Sequence, residues 1–221
     1  MLKIVVFDNG FGGELFAERL ESELPVVEII RVIAWPNSPA APVKSKNMRV
    51  IAESALAPYI GRVDLIIFAN YLLSTTSLNY FRHKYQRQKF IGFSLETGRL
   101  VLKKPTLILT TKSTTRNLAY FAFAHRVRAK TICMDNWPNL IDQGALTPSV
   151  LRQDLTAALS HINNFSPEQV LLCCGQFTEF IPEFRKIFGH NVRIVDSFDE
   201  TIYDACRALH IRGGTGKKRK K

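Results

Sequence analysis

No apolar run in the 221-residue sequence approaches the roughly 20 residues needed to cross a bilayer, which excludes a membrane-spanning helix as an expectation. Before the first charged turn the N-terminus offers only Ile4 to Phe7, too short for a secretory signal, so a cytoplasmic chain with no membrane partner is expected. Cysteine is scarce: four residues, at 133, 173, 174 and 206. They form no CxxC pair and no ligand spacing with the five histidines, so no metal site is expected and the thiols should be free. None of the histidines (83, 125, 161, 190, 210) adjoins a strand-end turn, which leaves a Cys–His nucleophile without support. The GxGxxG of a dinucleotide site, the GxxxxGK[ST] of a P-loop and the signatures of RNA- and DNA-binding modules are all missing.

Acidic residues are also short, 19 against 30 basic ones, giving a net charge of +11. Much of the excess sits in the last five residues, all Lys or Arg. The stretch 213–221, GGTGKKRKK, has nothing to bury and is expected to be a disordered basic tail. Any contact with nucleic acid should be confined to that tail and weakened by salt.

What is present is a rhythm. Short runs rich in Ile, Val and Leu fall at 2–8, 27–34, 63–70, 89–94, 105–111, 129–135, 169–175 and 192–197. Continuous apolar runs of this length suit strands buried on both faces of a parallel sheet. Helical periodicity occupies 14–24, 47–59, 114–125, 147–162 and 178–188. Alternation of the two argues for βαβ units. The pairing VVFDNG with IIFAN is echoed at similar spacing by LILTTKST with LLCCG, so the chain reads as two related halves. The expected fold is α/β: two similar three-layer domains with parallel sheets, related by a pseudo-two-fold axis, with an active-site cleft between them. Residues 1–97 form the first, 98–197 the second, and 198–212 pack back on the first.

Ligands of open parallel sheets bind beyond the carboxyl ends of the strands, where helix N-termini favour anions. Asp8, Asn9, Ala69, Asn70, Thr111, Ser113, Thr114, Cys174, Gly175 and Gln176 fall at such ends. Amides, hydroxyls and one thiol suit a small molecule carrying carboxylates. Cys173 and Cys174 are strand neighbours and should point to opposite faces, so at most one enters a cleft. A thiol at a helix N-terminus can serve as a thiolate base. The competing reading puts both in the core, as small hydrophobes.

Six blocks, in order, carry a resemblance: VVFDNGFGG to FDSGxGG, IIFANYLLS to IACNTAS, IGFSLETG to IGVIEPG, LILTTKSTTRNLAY to IGTxATxxSGAY, CMDNWPNLIDQG to CPxxVPLVExG, and VLLCCGQFTEF…NVRIVDSFDET to VLGCTHYPLL…VxxIDSxxET. Over about residues 3 to 209 the chain resembles the cofactor-independent aspartate/glutamate racemases, glutamate racemase in particular. The resemblance implies no cofactor, two α/β domains with the substrate between them, and one cysteine on each face of the substrate α-carbon. It assigns Cys174 to the second family cysteine, Asp8 to the nearby aspartate and Asn70 to the amide after the first cysteine. Thr111 and Thr114 match the two threonines, and Asp142 the glutamate of LVExG. Departures are as plain. The first cysteine aligns with Ala69, the serine after the opening aspartate with Asn9, and the threonine of Asn-Thr with Tyr71. Cys-Thr-His becomes Cys174-Gly175-Gln176, and of the block ending in Lys-Ser only Lys44 and Ser45 persist.

The resemblance thus implies a protein acting on a small amino acid or dicarboxylate by proton transfer at the α-carbon. Cys174 is the retained acid/base, and Asp8, Asn9, Asn70, Tyr71, Thr111, Thr114, Gly175 and Gln176 line the substrate. The alternatives are an inactive homologue that binds a small ligand and a single-cysteine enzyme of the decarboxylase type. Homodimers are common in that family, so a homodimer is compatible with the resemblance.

Overall fold

Each of the eight apolar runs forms a strand in the computed structural model, which describes residues 1–8, 10–34, 45–93, 104–116, 129–162 and 165–211. These residues fall into two compact units, one from stretches 1–34, 45–93 and 198–211, the other from 104–197.

The first unit carries β1 (Leu2–Asp8), α1 (Phe11–Glu23), β2 (Val27–Ile33), α2 (Ser45–Leu56), β3 (Leu65–Phe68), α3 (Tyr71–Lys84) and β4 (Phe90–Gly92). Its strands are all parallel in the order β2-β1-β3-β4. One face of the sheet presents Val5, Phe7, Ile66 and Phe68 to Met48, Ala52 and Leu56 of α2 and to Leu73 and Phe81 of α3. Toward α1, Phe16 meets Phe93 and Phe198 edge-on at 5.1 and 5.2 Å between ring centroids. Edge-to-face rings satisfy each other's quadrupoles, contributing about 0.5–1.5 kcal/mol per pair beyond area burial. Phe198 opens α8 (Phe198–Leu209), so the last described helix is held to this unit by an aromatic contact.

The second unit repeats the plan with β5 (Thr106–Thr110), α4 (Lys112–Thr115), β6 (Lys130–Cys133), α5 (Trp137–Asp142), α6 (Pro148–Ser160), β7 (Gln169–Leu172), a 3-10 turn (Gly175–Phe180), α7 (Ile181–Phe188) and β8 (Arg193–Val195). The strand order is β6-β5-β7-β8, again all parallel. Leu107, Leu109, Val170 and Leu172 share a buried cluster with Trp137, Leu151, Leu155, Phe177 and Phe184. In α6, Thr147 accepts from the Val150 N–H at 3.3 Å and Pro148 takes the first helical position, where its missing N–H costs nothing.

Three helices go beyond what periodicity picked out: α3, α5 and α8. The α3 sequence YLLSTTSLNYFRHK is rich in hydroxyls that compete with a helix. Thr75 and Thr76 instead donate back to the carbonyls of Tyr71 and Leu72, at 2.8 and 2.6 Å, and Arg82, His83 and Lys84 close the negative end of the dipole. The expected helix over 178–188 is split, because Pro182 has no N–H to give to the Thr178 carbonyl; a 3-10 turn precedes the α-helix proper. Of the expected helix 114–125, only its start lies among the described residues. Asn9, Lys44 and the 213–221 tail lie outside them.

Candidate functional site

In the first unit, β1 ends at Asp8, which is 3% exposed. Helix α1 then folds back over it. A Cβ at Gly13 would sit 2.4 Å from Asp8 Cβ and 3.0 Å from its Oδ2, so this approach is open only to glycine. The sequence shows the Gly12-Gly13 pair but not which side chain the glycine must clear. Beside Asp8, Ala69 follows β3 and donates its N–H to the Phe7 carbonyl at 2.9 Å. Asn70 caps α3, its side-chain oxygen accepting from the Leu73 N–H at 3.1 Å. Tyr71 is 4% exposed, its ring edge against Phe93 at 5.6 Å.

In the second unit, Thr111 stands between β5 and α4, its hydroxyl 2.8 Å from that of Ser113 and 3.4 Å from that of Thr114. Lys112 donates its backbone N–H to Asp135 at 2.6 Å, and its ammonium lies 3.2 Å from the same carboxylate. After β7, Cys173 is 2% exposed and Cys174 is half-buried, the two environments expected of neighbouring extended residues. The Cys174 thiol donates to Gln176 Oε1 at 3.1 Å, and Gln176 Nε2 donates to Asp142 Oδ1 at 2.7 Å. Gly175 opens the 3-10 turn, its carbonyl accepting from the Thr178 hydroxyl at 2.6 Å. Asp142 ends α5. That six-residue helix is fixed by Trp137, which is 1% exposed, stacks among Phe177 and Phe184, and donates its indole N–H to Asp154 at 2.9 Å.

Backbone register decides which residues are equivalent between the units. Ala34 donates to the Asp8 carbonyl as Met134 donates to that of Thr110; Ala69 donates to Phe7 as Cys173 donates to Leu109. Asp8 therefore corresponds to Thr110, Ala69 to Cys173, and Asn70 to Cys174. The last two share a backbone conformation, φ −145° with ψ 131° and 126°, and each precedes a helical segment. Within this chain, then, the residue standing where Cys174 stands is Asn70, one beyond Ala69, with which the first family cysteine aligns. Ala69, 2% exposed, is the last inward-packed residue before the turn.

The remaining thiols differ from Cys174. Burial, followed by the Asp135 carboxylate, pushes the Cys133 thiol above its ordinary range, and burial, followed by Glu23, does the same for Cys206. Both stay protonated near neutral pH. Among the described residues no group of three or more His, Cys, Asp or Glu is placed to hold a metal ion, and no helix is long and apolar enough to cross a membrane.

No family model matches the chain. Glutamate racemase of Mycobacterium leprae is 22% identical over 219 residues, spanning 96% of this chain and 80% of the relative. Among solved structures, glutamate racemase isoform RacE1 from Bacillus anthracis superposes with a TM-score of 0.79 at 17% identity, covering 95% of this chain and 82% of that one. Escherichia coli glutamate racemase, solved with L-glutamate and the activator UDP-MurNAc-Ala, gives 0.77 at 18%, covering 98% and 86%. The structural likeness fixes a two-domain α/β fold, and the sequence match runs through both units. On these grounds the chain is similar to glutamate racemases in sequence along its length and shares their fold.

Proposed function

We propose that the protein is a cofactor-independent enzyme that moves a proton at the α-carbon of a small amino acid or dicarboxylate, with Cys174 as its acid/base. The observation that carries this reading is the placement of Cys174. Of four thiols it is the one at a central strand end that is half-buried and tied into a polar chain, while Cys173 and Cys206 are core residues and Cys133 ends the edge strand β6. An α-proton is weakly acidic, so the chemistry needs donors on the substrate carboxylate in a partly dry site. Thr111, Thr114, the Gly175 backbone and Gln176 supply them from the second unit. In the first unit the sequence resemblance assigns Asp8, Asn9, Asn70 and Tyr71 to the substrate. The E. coli relative holds L-glutamate, which makes glutamate and its dicarboxylate analogues the first compounds to try.

A second reading has its own observation. Inversion requires a proton carrier on each face of the carbon, and the first family cysteine aligns with Ala69, followed by Asn70, neither of which titrates. One-sided chemistry fits that pair: exchange with retention, or loss of CO2 from a malonate-like acid. In the latter the C–C electron pair stays on the α-carbon, the Cys174 S–H gives it a proton, and water reprotonates the sulfur.

Incubation with D- and L-amino acids and dicarboxylates in heavy water, read by NMR and chiral chromatography, tests both. Inversion with α-deuteration supports two-sided transfer, and deuteration without inversion supports the one-sided form. No turnover beyond a Cys174→Ala control, with ligand-induced thermal stabilisation retained in that control, leaves a binding protein instead.

A further inference from the structure

The hydrogen bonds around Cys174 have a direction. A carboxylate only accepts, so Asp142 must face the NH2 end of the Gln176 carboxamide; the geometry agrees, with Nε2 2.7 Å from Asp142 Oδ1. Turning the amide over would set its oxygen against the carboxylate. The oxygen is therefore presented to the sulfur, 3.1 Å away. Oxygen can bond that sulfur only while the sulfur carries its proton, and against a thiolate the lone pairs of the oxygen are repulsive. A hydrogen bond made to the neutral form of a group disfavours its charged form.

We infer that Asp142 is a positioning residue that acts through Gln176 to hold Cys174 as a protonated thiol, armed to give a proton before it takes one. The inference rests on the reading of Cys174 as the acid/base. In the step it favours, the S–H bond breaks as a C–H bond forms at a carbanionic α-carbon, and the sulfur regains a proton from water. Helix α5 keeps Asp142 in place through the buried Trp137 anchor, so the orientation of the amide is built into the core of the second unit.

The test needs no substrate. Alkylation by iodoacetamide at neutral pH is followed at Cys174 by peptide mass spectrometry. Thiolate absorbance is taken as the difference from a Cys174→Ser control. Asp142→Asn, which offers the amide a donor as readily as an acceptor, raises alkylation and absorbance about fivefold, the worth of one ordinary hydrogen bond. Asp142→Glu retains the slow wild-type rate. Gln176→Met, which removes the oxygen while filling its space, also raises the rate. Equal rates in the wild type, Asp142→Asn and Asp142→Glu overturn the inference. A rise in both Asp142 variants overturns it as well, since that reports access rather than amide orientation. Asp142 is exposed, so these changes leave the fold intact. The heavy-water experiment fails or succeeds independently of this one.

Discussion

Gly13→Ala places a methyl group 2.4 Å from the Cβ of Asp8. Carbon atoms rest at about 3.5–4.0 Å, so one of the two must retreat by more than an ångström. Asp8 cannot: it ends the central strand β1, paired on one side with β2, and its carbonyl holds the Ala34 N–H. Rotating its carboxylate does not help, because the nearest atom is Cβ, which the backbone fixes. Helix α1 must therefore tilt outward, disturbing the Phe16 contacts with Phe93 and Phe198. Overpacking of this kind costs about 1–3 kcal/mol. Against it stands the better helix propensity of alanine, about 1 kcal/mol. The clash wins because the strand is rigid, leaving a net loss of about 1–2 kcal/mol. For a chain of this size each kcal/mol lowers the melting midpoint by about 2–4 °C. Gly10→Ala is the control, since nothing lies within 4 Å of its Cβ, and it should lower the midpoint by no more than a degree or two. Thermal melts followed by circular dichroism compare the two variants with the wild type. If Gly13→Ala melts at or above the wild-type temperature, α1 does not press on Asp8 as described and the account of this strand end is wrong.

Gly92→Ala meets the Ser74 hydroxyl at 2.5 Å, so it should destabilise less in a Ser74→Ala background than alone, a coupling that a double-mutant cycle in urea measures. Trp137→Phe removes the indole donor to Asp154 and should cost about 1–3 kcal/mol, read as a lower urea midpoint. It should also speed Cys174 alkylation, because Asp142 is then less firmly placed. Glu53 is held below the ordinary carboxylate range by hydrogen bonds from Lys84, Tyr80 and Tyr85. A depressed folded-state value means that its contribution is complete above the unfolded value near 4.5 and fades as pH falls through the folded one. Glu53→Gln should therefore lower the melting midpoint near neutrality, by up to about 1 kcal/mol in stability, and cease to matter in strong acid. A deficit that persists unchanged in acid would refute the charge-based explanation.

The strands were legible in the sequence because both faces of a parallel sheet are dry, leaving unbroken runs such as LIIF and QVLL. Helices with a clear apolar stripe were legible for a related reason. Helix α3 was harder, since its run of Ser and Thr pairs with its own carbonyls and shows little amphipathic contrast. Pro182 was visible, but its effect depended on where the preceding turn began. At the candidate site the turns could be found and the residues within them could not be fully ranked. Which residue of the first unit stands where Cys174 stands in the second hangs on a single hydrogen bond, Ala69 N–H to Phe7, that sets when the chain leaves the sheet. Side-chain alternation makes a slip of one residue a change of face. The link from Cys174 through Gln176 to Asp142 spans 34 residues and depends on the tertiary fold, which spacing alone does not express.

Asn70 and Cys174 occupy matching corners but spend their side chains differently. Asn70 turns its oxygen inward to close the first turn of α3, whereas Cys174 makes no such closure and directs its thiol to the Gln176 side chain. A corner residue that plugs a helix end has committed the very atoms that reactivity would require. Placing sulfur at position 70 would strand the Leu73 amide and surrender about 1 kcal/mol of local order, so a thiol at that corner and a well-finished α3 are competing architectures for this chain.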